Sequence, residues 1–290
     1  MRVKHTIIEI FISMRPKQWT KNFFIFAALI FVKDFLDSQK VLFAVEAFVL
    51  FCFASSAVYI MNDVVDIKSD REHPTKKYRP LAAVKISPFF AIFFAVILAT
   101  VASLGGWFLN TSFFWAVMAY LVLQLLYSFW LKRIVIIDVL AIALGFVIRV
   151  IAGAVAISVS FSVWLILCTF FLALFLAISK RRNELLHGAS GFSRGVLQDY
   201  TLEFLNQMNM VVLPSTIITY AFYTFSSEHS RWLMVTIPIV VYGLFRYLFI
   251  TDKKRIADNG PSDDILGDAG IQVAVLVWII VSGIILIYGK

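Results

Sequence analysis

Apolar runs of close to 20 residues recur along the whole 290-residue chain, and this one feature leaves few folds open. An α-helix rises 1.5 Å per residue, so ~20 residues cross a hydrocarbon layer of ~30 Å with every backbone group bonded inside the helix. With 61% hydrophobic residues and only 15% charged, no soluble core could absorb so much apolar surface. The expected fold is all-α, a polytopic membrane bundle of nine transmembrane helices over 23–36, 41–61, 87–108, 112–131, 134–157, 161–180, 208–226, 231–250 and 271–289. The first run is short and reaches membrane length only if part of 15–22 continues its helix. Residues 1–290 form a single integral membrane domain in this reading. Residues 1–22 are an amphipathic helix at the membrane surface, with apolar Ile7, Ile8, Phe11, Ile12 and Trp19. Segments 62–86, 181–207 and 251–270 are its longer polar loops. Cys52 and Cys168 lie inside apolar runs and read as small core residues.

Charge orients the bundle. Of the 26 Lys and Arg, all but Lys33, Lys40, Arg149, Arg231 and Lys290 fall on one face of a nine-span arrangement. Basic residues concentrate on the cytoplasmic side of membrane proteins, so the N-terminus and the three loops are expected inside and the C-terminus outside, in a plasma membrane. The net charge of +8 is accounted for by this bias and by anionic phosphate ligands, without nucleic acid.

The chemistry concentrates in residues 62–85, NDVVDIKSDREHPTKKYRPLAAVK. If the preceding apolar helix continues, about 100° per residue sets Asn62, Asp63, Asp66 and Asp70 within an arc of roughly 100°. Three carboxylates on one face repel one another, unless a divalent cation sits against them. Oxygen-only ligands suit a hard ion, and carboxylates plus substrate phosphates commonly hold Mg²⁺. Arg71, Lys76, Lys77, Arg79 and Lys85 follow at once, the residue types that grip phosphate oxygens. A solvated loop would explain the basic part alone. It gives no reason for carboxylates at helical intervals.

Weaker polar features fall on the same face of the nine-span arrangement. SKRRNEL at 179–185 ends the sixth span, with Lys180 and Glu184 one helical turn apart and able to pair internally. Tyr127 and Lys132 close the fourth span. Arg149 lies well inside the fifth, where a charge costs ~3 kcal/mol or more, so it is expected to face a polar cavity. Its partner could be Asp138 if the helices fold back suitably. Asp263, Asp264 and Asp268 sit among Asn-Gly-Pro-Ser and read as an exposed turn.

With N-D-x-x-D-x-x-x-D at 62–70, RPL at 79–81 and Y-S-x-x-L-K at 127–132, the chain resembles the UbiA superfamily of intramembrane prenyltransferases over its whole length. The resemblance implies that Asn62, Asp63, Asp66 and Asp70 carry Mg²⁺ and the donor diphosphate. Aromatic prenyltransferases of the superfamily have a second acidic motif after the sixth span, where this chain reads Lys180-Arg181-Arg182-Asn183-Glu184. Together with MRPKQWTKN at 14–22 and DREHPTKKYRP at 70–80, this is similar to the decaprenyl-phosphate phosphoribosyltransferase branch. The branch implies a pentosyltransferase with phosphoribosyl diphosphate as donor, whose 5-phosphate gives the extra cations an assignment. It further implies a polyprenyl phosphate acceptor and a role in lipid-linked cell-wall arabinan precursors.

The expected substrate contacts are Lys17, Lys21, Asn22, Asn62, Lys76, Arg79, Tyr127, Lys132, Arg149, Lys180, Arg181 and Glu184, with Asp63, Asp66 and Asp70 catalytic through the metal. Self-association is left open. A true prenyltransferase acting on a quinone precursor or glycerol phosphate is the alternative enzyme; it lacks its second acidic cluster here. A transporter would show paired inverted repeats with broken midplane helices, and neither is apparent.

Overall fold

The computed structural model describes residues 2–31, 36–160, 162–187, 195–226, 231–253 and 267–288, which are helical throughout apart from turns and short connections. Helix α1 spans Arg2–Ser13. It exposes Ile7, Ile8, Phe11 and Ile12 while Ile10 packs inward, the two-faced pattern of an interfacial helix. It does not run on to residue 22. Arg15 adopts the left-handed region at φ 53°, and Pro16 opens a 3₁₀ stretch over Pro16–Phe26. The residue before proline is driven out of the right-handed helical region, so the chain turns there. A five-residue α2, Ala27–Phe31, follows. The expected span 23–36 is therefore no continuous helix among the described residues, and 32–35 lie outside them.

Among the described residues eight helical segments are long and apolar enough to cross a membrane, against the nine expected. They contain α3 (Ser38–Val65), α5 (Pro88–Leu109), α6 (Thr111–Phe129), α7 (Ile137–Ala156), α8 (Val163–His187), α9 (Leu202–Ser226), α10 (Ile237–Lys253), which reaches membrane length with the 3₁₀ turn Arg231–Thr236 before it, and α11 (Ala269–Tyr288); α4 (Ile67–Glu72) is a short helix after α3. The protein is a multi-pass membrane protein. Their starts are set by capping: Asp37 accepts from the Gln39 and Lys40 N–H groups, Ser87 from Phe90, and Asn110 from Ser112. Of the expected loop 181–207, the described residues are largely helical, because α8 extends to His187, a 3₁₀ turn covers Gly195–Asp199 and α9 begins at Leu202, while 188–194 lie outside them. Polar residues mark where a helix leaves the membrane, and they do not stop it. Of loop 251–270, residues 254–266 lie outside the described residues, Asp263 and Asp264 among them. Asp268 is described: Arg246 donates to it at 2.9 Å and holds its carboxyl below the usual carboxylate range.

The chain divides into two compact units, residues 1–134 with 148–160, and 135–147 with 161–290. In the first, Ile25, Ala47, Phe51, Phe113, Val117 and Ala152 pack into one core and Ile10, Ile60, Leu81 and Ala95 into another. In the second, Val139, Phe175, Ile178, Leu205 and Tyr247 form the core. Within the first unit, a Cβ on Gly153 would overlap the backbone carbonyl of Ile25, so only glycine lets the 3₁₀ stretch lie against α7. Gly153→Ala is expected to cost about 1–3 kcal/mol through overpacking against backbone that cannot give way. A lowered melting temperature and a smaller monodisperse yield in detergent would show it.

Candidate active site

The acidic residues sit at a joint. Helix α3 ends at Val65, Asp66 leaves helical geometry at φ −95°, ψ 8°, and α4 resumes at Ile67. Helical bonding nevertheless spans the joint, since Asp66 N–H donates to Asn62 O at 2.9 Å and Asp70 N–H to Asp66 O at 2.8 Å. The near-continuous turn keeps Asp63 and Asp70 on one inner face, 2% and 4% exposed. The side chain of Asp66 stands 36% exposed.

Each carboxylate meets a cation. Arg15 pairs with Asp63 and lies over the Tyr59 ring, its centre 5.4 Å from the centroid. Arg79 Nη1 donates both to Asp63 Oδ1 at 3.2 Å and to Asp70 Oδ2 at 2.6 Å. Lys132 Nζ reaches Asp66 Oδ1 at 2.6 Å. The motif and its neighbours thus form a closed, charge-balanced lattice, which relieves the repulsion that three adjacent carboxylates would otherwise suffer. Arg15 escaped notice in the sequence; its signal was the Arg-Pro step, which turns the chain back across α3.

The donor set fits a divalent cation in kind. It offers oxygen only, and a single shared nitrogen brings Asp63 and Asp70 within a few ångströms of each other. Arg79 and Arg15 are 28% and 26% exposed, so they can swing aside. Among the described residues no three acidic side chains are already gathered around one point.

A second polar network in this unit is fully buried. Arg149 Nε donates to Asn22 Oδ1 at 2.9 Å, and Nη2 to the Tyr120 hydroxyl at 2.9 Å. Its guanidinium lies 4.8 Å from the Tyr120 ring centroid and 5.7 Å from that of Phe51. Asn22 Nδ2 in turn donates to Ser55 Oγ at 3.1 Å, tying the 3₁₀ stretch to α3 and α7. The pairing of Arg149 with Asp138, allowed by the sequence only if the helices folded back, does not form: both lie on α7, eleven residues or about 16 Å apart. Of the other expected contacts, Lys17 is exposed, Lys21 and Lys76 are half-buried, and Tyr127 is buried near the end of α6.

In the second unit, Asp138 and Arg181 form a buried pair, 0% and 1% exposed, at 2.8 Å. Tyr200 donates its hydroxyl to Asp138 Oδ1 at 2.7 Å and accepts from Ile136 N–H at 2.7 Å. Arg181 also binds Glu184 at 2.6 Å, whose other oxygen lies 3.8 Å from Lys180. Arg181 was expected to face substrate phosphate; here it braces α7 against α8, because an uncompensated Asp138 at that depth would be costly. Asp138 and Tyr200 were missed as its partners. Their only sequence signal was an acid in the first turn of an apolar helix.

Burial and the Asp138 carboxylate push the Tyr200 hydroxyl well above its ordinary value of 10.0. A folded-state pKa raised above the unfolded one gives stability that is whole below about pH 10 and lost as pH rises further. The melting-temperature difference between wild type and Tyr200→Phe is therefore expected to be constant from pH 7 to 9. It should shrink above pH 10.

The model of the UbiA prenyltransferase family matches residues 22–261, most of the chain. The chain belongs to the UbiA prenyltransferase family. It is thereby a membrane transferase. Curated relatives agree: decaprenyl-phosphate phosphoribosyltransferase from Corynebacterium glutamicum is 35% identical over 92% of this chain and 83% of its own length. The enzyme of that name from Mycobacterium tuberculosis is 32% identical over 96% and 94%. The fold is that of a UbiA homolog from Archaeoglobus fulgidus solved with DMAPP and Mg²⁺, with a TM-score of 0.73 over 97% of this chain and 99% of that one at 18% identity. Digeranylgeranylglyceryl phosphate synthase also shares it, with a TM-score of 0.71 at 16% identity. For a UbiA-family chain, the joint at Asp66 matters because it divides the motif into two inward acids and one accessible acid.

Proposed function

We propose that this UbiA-family enzyme transfers the 5-phosphoribosyl group of phosphoribosyl diphosphate to a polyprenyl phosphate of the decaprenyl type, releasing diphosphate. The observation that carries the reading is the likeness, over nearly the whole chain, to two enzymes named for that reaction. The bond between ribose C1 and the diphosphate oxygen breaks, and its electron pair leaves with the diphosphate. A phosphate oxygen of the acceptor then bonds to C1, which has acquired oxocarbenium character. A phosphate monoester has a second pKa near ~6 and is largely dianionic at neutral pH, so the acceptor needs no general base.

Asn62, Asp63, Asp66 and Asp70 would hold Mg²⁺. When bound, the ion supplies charge that neutralises the departing diphosphate. Arg79 and Lys132, released from their carboxylates, would then grip donor phosphates beside Arg15, with Lys17, Lys21 and Lys76 proposed to add positive charge. The Arg149–Asn22–Tyr120 network offers a fixed, buried guanidinium for orienting substrate, and Tyr127 borders Lys132 in the chain. On α8, Lys180 is the proposed phosphate contact, with Glu184 holding it and Arg181 as a positioning residue. We place the chemistry on the cytoplasmic side of the plasma membrane, with the product feeding lipid-linked arabinan precursors.

Purified protein given labelled phosphoribosyl diphosphate, decaprenyl phosphate and Mg²⁺ should yield a labelled phosphoribosyl lipid and diphosphate. Thermal shift should favour phosphoribosyl diphosphate over geranyl or farnesyl diphosphate. A clear preference for the prenyl donors would make the protein a prenyl transferase instead.

A further inference from the structure

A hydroxyl inside an apolar helix has a bond within reach on its own backbone, and Thr169, Ser215, Thr216 and Thr251 each donate to the carbonyl four residues back. Ser56 of α3 directs its hydrogen elsewhere. Fully buried, it donates to the Met14 carbonyl at 3.1 Å, 42 residues away, and accepts from Trp19 Nε1 at 3.0 Å. One hydroxyl thus joins both ends of the turn that contains Arg15 and Pro16. Within that turn Arg15 stands at φ 53°, ψ 62°, a left-handed conformation that a residue with a Cβ resists. Both peptides flanking it are bonded. Arg15 N–H donates to Ile12 O at 3.1 Å, Ser56 holds the Met14 carbonyl, and the Arg15 carbonyl accepts from Gln18 N–H at 2.8 Å. Strained backbone of this kind persists where its surroundings over-determine it, and such positions cluster at active sites. The same face of α3 then receives the Arg15 side chain. Ser56, Tyr59 and Asp63 are spaced by three and four, so they follow one another along the helix. The hydroxyl fixes the backbone, the Tyr59 ring lies against the guanidinium, and Asp63 pairs with it.

We propose that Ser56 and Trp19 are positioning residues for the diphosphate subsite, acting through Arg15 and touching neither donor nor metal. They hold Arg15 in its strained conformation, so that its partly exposed guanidinium passes from Asp63 to a diphosphate oxygen when Mg²⁺ takes the carboxylate. Without the clamp, Arg15 relaxes to an ordinary backbone conformation and its side chain leaves Tyr59 and Asp63. The proposal rests on the metal and diphosphate reading of the acidic motif. It does not depend on which group the diphosphate carries.

Inorganic diphosphate with Mg²⁺ is the probe, its affinity read from the concentration dependence of the melting temperature of the full chain in detergent. Ser56→Ala should weaken diphosphate about tenfold, the scale of one lost bond to a charged group. Arg15→Ala should weaken it about as much. In the double variant the two losses should not add, because Ser56 acts through Arg15. Trp19→Phe keeps an aromatic ring and removes the N–H. It should weaken diphosphate by a smaller factor and lose that effect in the Arg15→Ala background, which keeps the test decisive if Ser56→Ala fails to fold. A merely structural Ser56 would lower the melting temperature and leave diphosphate affinity at the wild-type value, and that result would overturn the proposal. So would losses that add in the double variant. No shift with Mg²⁺ and diphosphate in wild type would remove the metal reading and this proposal together. Losses that do not add, in a protein that rejects phosphoribosyl diphosphate as donor, would sink the proposed reaction and leave the role of Ser56 standing.

Discussion

Asp66→Asn is expected to lower phosphoribosyl transfer by roughly 10²-fold or more, the scale seen when a group that stabilises transition-state charge is removed. The protein should insert, purify and melt as the wild type does. The reason is the position of Asp66 at the joint between α3 and α4, with its side chain 36% exposed and, among the described residues, paired with Lys132. A half-exposed ion pair contributes ~0–1 kcal/mol, so its loss barely registers in stability. The proposed metal loses a formal charge from its most accessible ligand. Turnover and melting temperature measured side by side separate the two roles, and near-normal turnover at saturating Mg²⁺ would remove Asp66 from the metal site.

Arg79→Ala should behave in the opposite way. Arg79 bridges two nearly buried carboxylates, Asp63 and Asp70, so truncation leaves both facing each other without the shared cation. Breaking a buried pair costs ~3–5 kcal/mol, and the lower end applies because Arg79 is itself 28% exposed. A marked drop in melting temperature is expected, together with a raised KM for the donor. The informative arm is Mg²⁺ titration followed by thermal melting without substrate. In wild type the ion must displace Arg79; in the variant the place is vacant, so Mg²⁺ should raise the melting temperature more in Arg79→Ala. An equal or smaller shift would mean that Asp63 and Asp70 do not hold the ion.

The sequence by itself determined the features that depend on neighbours along the chain. Apolar length specified membrane helices, since a run of ~20 apolar residues has one stable way to satisfy its backbone in lipid. The spacings of three and four between Asp63, Asp66 and Asp70 set the carboxylates on neighbouring turns of one helix, and the joint at Asp66 then left Asp63 and Asp70 inward and Asp66 accessible. The depth of Arg149 called for a polar pocket, and Asn22 and Tyr120 provide it. Tertiary structure decided the rest. Arg15 meets Asp63 across 48 residues, Lys132 meets Asp66 across 66, and Arg181 meets Asp138 across 43. In a membrane helix, residues facing lipid and residues facing the core are equally apolar, so periodicity does not reveal the inward face or the partner that waits there. For the same reason a run such as 23–36 looked like a span until the turn at Arg15 and the close approach at Gly153 set its start, through Phe26, on a 3₁₀ path, and the three cations around the acidic motif became partners only once the chain had folded back on itself.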